Sequence, residues 1–251
     1  MGGLAHIIES EGIPTTQISL IRTHTEKMRP PRALAVPFEL GRPLGAPNEP
    51  AFQRRVLEEV LKLLERPAGP VLEDFADASP VADVDADGEG WACPVNFAPP
   101  IVDISDADLV YQSLLQEVNL LRPWYEEAVK LYNRSAFGIS GSTPEEIARV
   151  ISDVLIDPAG TAPPIDGETI GTGFKRMADD MRYFYTEAAI AKPDQRTTDL
   201  EVANWLWGET TLGKVLAAIR DASMESEEPS LKRLAPTAMV PTHQRHHTKH
   251  G

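Results

Sequence analysis

The sequence predicts an α/β segment followed by an α-helical subdomain, and three observations support that prediction. Within the first 70 residues, helical spacing of apolar residues alternates with short β-branched runs. Residues 71–108 then contain 10 acidic side chains and no Lys or Arg, which is typical of a solvated, irregular connection. Beyond them the apolar spacing is helical throughout. We therefore divide the chain into a partial α/β segment (1–70), an acidic irregular connector (71–104), a helical subdomain (105–224) and a His-rich tail (225–251).

The α/β segment is predicted to run helix, strand, short helix, strand, helix. Apolar spacing indicates helices over residues 2–10 and 50–66, and Gly12 supplies a left-handed end to the first. β-branched composition indicates strands over 15–21 and, less strictly, 32–38. This order is what remains when a doubly wound, flavodoxin- or Rossmann-like sheet is entered partway through. Because two strands are unstable alone, either helices of the second half cover them or another chain supplies further strands.

Start signals place most helices of the second half. Strong N-terminal signals stand at Thr143, which precedes a proline, and at Thr198, which precedes a glutamate by three positions. Ser105 opens the first helix of this half, with a kink expected at Pro123. The remaining helices are predicted over residues 173–191 and from Thr210 or Thr211 onward.

The composition excludes several classes of function. The chain has 251 residues and a formal net charge of −14, whereas a nucleic-acid binder needs a net basic face. No apolar run reaches the roughly 18 to 20 residues that a membrane span requires, and the N-terminus lacks a secretion signal. The single cysteine, Cys93, excludes an internal disulfide and suits a reducing compartment. We expect a cytoplasmic protein that binds neither nucleic acid nor membrane.

The carboxyl ends of the two predicted strands supply the candidate site. The first strand leads into Arg22, Thr23 and His24, and the second into a loop with Gly41 and Arg42. Ligands of open α/β sheets gather at this edge, and an arginine fork suits a carboxylate or phosphate. We therefore expect Arg22, Thr23, Gly41 and Arg42 to bind substrate, and His24 to transfer a proton near neutral pH. The alternative is that the glycines only turn the chain and Arg42 meets a local carboxylate.

Cys93 is a second candidate for a chemical role. It lies in an aromatic, proline-flanked stretch, but no helix start lowers its pKa, and a lone cysteine is most often a small buried hydrophobe. The nearby Asp83, Asp85 and Asp87 match the first half of a calcium loop, yet Pro94 stands where the bidentate glutamate is needed. A true calcium loop is therefore excluded, while a loop-ordering divalent ion stays open.

Four histidines near the end of the chain offer another pattern. They follow one another at intervals of 3, 1 and 3 residues and would line one face of a helix, where they could bind a transition metal. Pro241 and the lack of apolar residues among them favour a disordered tail instead. The histidines are His243, His246, His247 and His250.

Three stretches of the chain resemble a known family. Residues 3–19 read GLAHIIESEGIPTTQIS, residues 30–34 read PPRAL, and residues 37–45 read PFELGRPLG. In these motifs the chain resembles proteins related to the selenoprotein B component of glycine, sarcosine, betaine and D-proline reductases. The resemblance covers residues 2–66 best, and residues 205–210, WLWGET, resemble the C-terminal region of uncharacterised relatives. It implies a cytoplasmic, multi-subunit enzyme that reductively cleaves a carbon–heteroatom bond with a selenocysteine or cysteine nucleophile.

One departure from that family matters. The family places its reactive selenol or thiol in the loop before the helix that corresponds to residues 3–10, and no such residue stands there in this chain. Either a separate subunit supplies the nucleophile and completes the sheet, or Cys93 has taken over, or this route of catalysis is lost. We favour the first.

These observations lead to three hypotheses of function. The leading one is a subunit of a hetero-oligomeric reductase that cleaves a carbon–heteroatom bond of a small anionic or amino-acid-like substrate, with a partner's thiol or selenol as nucleophile; it assigns no metal ligands. The second is a metal-dependent hydratase or hydrolase subunit with ligands from His24, Glu26 and Cys93. The third is a non-catalytic assembly subunit.

Overall fold

The computed structural model describes residues 2–38, 40–79, 104–191 and 197–249. The chain divides into two compact units, Met1–Ala86 and Asp87–Gly251. The first unit alternates helices and strands: α1 (Gly2–Ser10), β1 (Gln17–Ser19), α2 (Arg22–Met28), β2 (Arg32–Ala35), α3 (Pro50–Lys62), a 3₁₀ turn (Leu63–Glu65) and β3 (Val71–Asp74).

The three strands form one parallel sheet in the order β1-β2-β3. Ile18 pairs with Leu34, and Leu34 pairs with Glu73, so β2 is the central strand and is buried along its whole length. This arrangement confirms an α/β architecture in the first unit. In a doubly wound sheet the strand order reverses at one point, and the order of the described strands does not. These strands therefore support an α/β architecture but not the doubly wound fold.

β3 differs from the prediction, because residues 71–74 were assigned to the irregular connector. Val71 and Leu72 are half-buried, and the Val71 amide donates to the Pro31 carbonyl at 2.9 Å. The acidic residues that follow concealed this short strand in the sequence. The two strands that the sequence did predict are confirmed, but they are shorter than expected.

A buried arginine holds the start of the sheet together. Arg32, 5% exposed, donates to Glu9 at 2.6 Å and to the Arg66 carbonyl at 2.7 and 3.1 Å. Glu9 also accepts from the Thr15 amide at 2.7 Å, just before β1 begins. Burial raises the pKa of Glu9, but hydrogen bonds from Thr15 and Arg32 outweigh it and hold that pKa below its ordinary value.

The second unit is helical and has its own core. Tyr185, Phe174, Phe184 and Leu114 are among its largest fully buried side chains. Its elements are α4 (Ala107–Tyr132), α5 (Pro144–Ile156), α6 (Ile170–Ala189), α7 (Asp199–Glu209), α8 (Thr211–Glu225), α9 (Pro229–Leu234) and a 3₁₀ turn (Thr242–His247).

Three of the predicted starts are confirmed, whereas α6 begins at Ile170, three residues before the predicted start. Thr143 and Thr198 each make the reciprocal capping contacts, and Thr210 accepts from the Gly213 amide at the start of α8. The start of α4 was wrong by one residue, because Asp106 and not Ser105 accepts the first free amides, at 2.8 and 3.2 Å. α4 continues through Pro123 as one helix. None of the helices in the described part of the chain is both long and apolar enough to cross a membrane.

The expectation of a disordered tail was wrong for residues 229–249. Leu231, Met239 and Val240 are buried in the helical core, and the fully buried Gln244 donates to Asn204 of α7 at 2.8 Å. These apolar residues precede the histidines and anchor the segment. Two hydrogen bonds hold the end of this segment against α8. The Arg220 guanidinium donates to Thr248 at 2.9 Å, and the Lys249 amide donates to Asp221 at 2.7 Å.

Candidate functional site

The carboxyl edge of the sheet is held by an arginine that joins its two outer strands. Arg22, at the start of α2 just after β1, donates from Nε to Asp74 Oδ1 at 2.7 Å and from Nη2 to Oδ2 at 3.1 Å. Asp74 is the last residue of β3, so this two-pronged contact passes over the end of β2. Glu26, one helical turn further on, also contacts the Arg22 guanidinium.

This pairing shifts both titrations. The hydrogen bond from Arg22 lowers the pKa of Asp74, and the same bond raises the pKa of Arg22. Both side chains are about half-exposed, so solvent screens their attraction. Because two carboxylates already occupy the Arg22 guanidinium, an incoming anion would have to displace one of them. The geometry therefore suits Arg22 to positioning α2 against β3.

A second contact holds the inner face of α2 against β1. Thr25, which is buried, shares a hydrogen bond of 2.5 Å with Ser19, the last residue of β1. Thr25 Oγ1 also lies 3.3 Å from the Ile21 carbonyl. Sequence reasoning missed Thr25, because a threonine in a short polar helix is ordinarily a surface residue. α2 is thus tied to β1 on its inner face and to β3 through Arg22.

The outer face of α2 carries Thr23 and His24, and both are exposed to solvent. His24 makes no hydrogen bond or ion pair with any residue that the structure describes. Its imidazole is therefore free to meet a ligand or a partner group at the carboxyl edge. Arg22, Thr23 and His24 lie in the first turn of α2, directly after β1.

The loop after β2 contains a tight turn at its glycines. Gly41 and Gly45 have φ of +92° and +83°, and the Gly45 amide donates to the Arg42 carbonyl at 2.9 Å. A Cβ on Gly45 would lie 2.7 Å from the Phe52 ring, whereas none of the described atoms lies within 4 Å of a Cβ on Gly41. Gly45 is therefore a packing requirement, while Gly41 leaves open space beside the exposed Arg42.

Metal ligands do not converge in the described residues. No group of three His, Cys, Asp or Glu side chains there could hold a metal ion. His24 and Glu26 both lie on α2 without a third ligand, and Cys93, together with Asp83, Asp85 and Asp87, lies outside the described residues.

The described tail histidines pack against each other and against α7. The His246 and His247 rings are 4.1 Å apart, and the His246 Nδ1 lies 3.1 Å from the His243 carbonyl oxygen. Burial, with a smaller contribution from His246, lowers the pKa of His247. His250 lies outside the described residues.

The helical unit contains a buried carboxyl that sequence reasoning missed. Glu117 of α4 is 4% exposed and accepts from the Tyr185 hydroxyl at 2.9 Å, the Thr211 amide at 2.7 Å and the Leu212 amide at 3.4 Å. Burial raises its pKa, and these hydrogen bonds offset part of the rise. The signal in the sequence was an acidic residue within the apolar spacing of Leu114, Val118 and Leu121.

The Glu117 carboxyl joins three helices. It caps the first turn of α8 and binds α6 through Tyr185, whose pKa is raised well above its ordinary value by burial and by the Glu117 charge. Each carboxyl oxygen has a buried donor, so the group is satisfied. Glu117 therefore has a structural role: its carboxyl holds α4, α6 and α8 together, and we call this set of contacts the Glu117 clamp.

Comparisons with protein-family models, with curated proteins and with solved structures found no match to this chain.

Proposed function

We propose that the chain is one subunit of a hetero-oligomeric reductase, in which it binds a small anionic or amino-acid-like substrate while a partner chain supplies a thiol or selenol. The observation that carries the proposal is the incomplete sheet. β1 and β3 are both outer strands in the described part of the chain, and each leaves one row of backbone groups without a strand partner. A further strand from another chain would bring new side chains to the same carboxyl edge.

The residues at that edge have complementary roles in this proposal. Arg42, beside the open turn at Gly41, holds the anionic group of the substrate. The Arg22–Asp74 contact fixes α2, so that His24 projects from a rigid turn. The resemblance of residues 3–19 and 37–45 to the selenoprotein B family supports a reductive reaction and a cysteine or selenocysteine nucleophile.

The proposed reaction consists of two successive substitutions, the first at the substrate carbon and the second at sulfur or selenium. The partner's thiolate or selenolate attacks the substrate carbon, and the carbon–heteroatom bond breaks. The departing heteroatom takes a proton from the His24 imidazolium. A second thiol of the partner then attacks the sulfur or selenium, which releases the reduced carbon as it takes up a proton and leaves a disulfide or selenenyl sulfide.

The test is activity of the complex isolated with its natural partner. Thiol-dependent conversion of glycine, sarcosine, betaine and D-proline is measured for the wild type and for His24→Ala and Arg42→Ala. Loss of a proton donor is expected to lower turnover by about 100-fold, and loss of the arginine to raise KM. Lys27→Ala is the matched control, because Lys27 is exposed on the same helix. Unchanged turnover in both site variants would remove these residues from catalysis.

A second candidate, a non-catalytic assembly subunit, is favoured by a different observation. Several large apolar side chains of the first unit are exposed, including Leu4 at 57% and Ile7 at 63% on α1. Such residues suit contact with another protein whether or not the edge is catalytic. In that case the complex requires this chain for assembly, and the His24 and Arg42 variants keep full turnover.

A further inference from the structure

Helix α3 has two apolar faces, and only one of them packs on its own unit. Phe52, Val56 and Val60 are buried against the sheet. A second row, which we call the leucine stripe, consists of Leu57, Leu61 and Leu64, exposed at 43%, 56% and 37%. Their intervals of four and three residues place them along one line of the helix and of the 3₁₀ turn that continues it. The outward face of α3 therefore has the spacing of a helix–helix seam.

A row of alternating charges runs beside the leucine stripe. This charged row consists of Arg54, Glu58, Lys62 and Glu65, and the last three each follow a stripe leucine by one position. Arg54, Glu58 and Glu65 form no hydrogen bond or ion-pair contact with the residues described, while Lys62 donates to the exposed Glu59 at 2.6 Å and also feels the charges of Glu58 and Glu65. Arg54, Glu58 and Glu65 can therefore pair across an interface, and Lys62 can do so by exchanging its exposed contact with Glu59.

In the charged row, side chains at about equal distances on either side of residue 60 have opposite charges. Arg54 and Glu65 lie about equally far from that position on either side, and so do Glu58 and Lys62. A two-fold axis at this point turns the row end for end and sets each charge opposite one of the other sign. In a parallel two-fold arrangement of the same two helices, the charged rows would lie on opposite sides of the seam and would not meet. The surface is thus complementary to an antiparallel copy of itself.

We infer that α3 pairs with α3 of a second copy of this chain, antiparallel about a two-fold axis near residue 60. The leucine stripes of the two copies form the seam, and Arg54–Glu65 and Glu58–Lys62 contacts flank it, each made twice. This interface uses the outward face of α3 and leaves the sheet edges open. It is therefore independent of the reductase partner, and its failure would leave the proposed function unaffected.

The experiment is sedimentation velocity of the purified full chain from roughly 1 to 200 µM. We expect a concentration-dependent change from monomer to dimer. Leu61→Asp places a charge in the stripe and is expected to weaken the dimer by at least about tenfold. Leu131→Asp is the matched control, because Leu131 is 60% exposed on α4 of the other unit, and it should leave dimerisation unchanged. Circular dichroism checks that both variants fold.

Charge reversal tests the direction of the helices. Arg54→Glu and Glu65→Arg are each expected to weaken the dimer by about fivefold, because two attractive contacts become repulsive. The double variant restores opposite charges across the axis and should regain the wild-type dissociation constant. A monomer at every concentration, a dimer insensitive to Leu61→Asp, or a double variant weaker than either single one would overturn the inference.

Discussion

Removal of the Glu117 carboxyl is the sharpest test of the helical unit. Glu117→Ala leaves the Thr211 amide and the Tyr185 hydroxyl without their acceptor in a site that is 4% exposed to solvent. Each unsatisfied buried donor costs about 1–3 kcal/mol, and removal of the buried carboxyl returns part of that sum. We expect the free energy of unfolding to fall by about 3 kcal/mol.

Two further variants separate this effect from a general loss of a glutamate. Glu117→Gln keeps one oxygen for the Thr211 amide and is expected to cost about 1 kcal/mol. Glu127→Ala removes an exposed glutamate of the same helix, half-exposed beside Lys130, and should cost less than about 0.5 kcal/mol. Urea unfolding at neutral pH, followed by circular dichroism, measures all three. A Glu117→Ala variant as stable as Glu127→Ala would refute the clamp.

Three more outcomes are expected. Because burial raises the pKa of Glu117 above its ordinary 4.5, the folded chain keeps a proton that the unfolded chain releases. The stability of the wild type relative to Glu117→Gln should therefore decline as the pH rises above 4.5 and level off past the folded pKa, and a rising difference in urea unfolding would contradict this. Gly45→Ala should cost about 3 kcal/mol in thermal unfolding, because its Cβ meets the Phe52 ring at 2.7 Å, against about 1 kcal/mol for Gly12→Ala, which shares the φ of +83° in open space. Thr198→Ala should cost about 1 kcal/mol through loss of its cap, and an unchanged midpoint would argue against that contact.

Local signals predicted the helices well, because each acts over one turn. Thr143 and Thr198 both cap where the sequence placed them, and the apolar spacing of α5 and α6 matches their buried faces. The error at α4 has the same origin, since Ser105 and Asp106 are both good N-caps and only the observed hydrogen bonds choose between them.

Long-range contacts explain what the sequence did not show. β3 is a strand because Val71 and Leu72 extend the ladder of β2, which no short window of sequence contains. Asp74 was missed for the same reason, and with it the contact that occupies Arg22. Glu117 is an acidic residue within the apolar face of α4, and the donor that explains it, the Thr211 amide, lies far along the chain.

The closing contacts of the chain also order the events of its synthesis. Arg220 of α8 is almost fully buried, and its partner Thr248 leaves the ribosome long after α8 has emerged. Until residues 244–248 have emerged, the position of Gln244 against α7 is empty and the Arg220 guanidinium is partly exposed in the nascent helical unit. Full closure of this unit is a late event that a chain stalled before residue 244 never reaches.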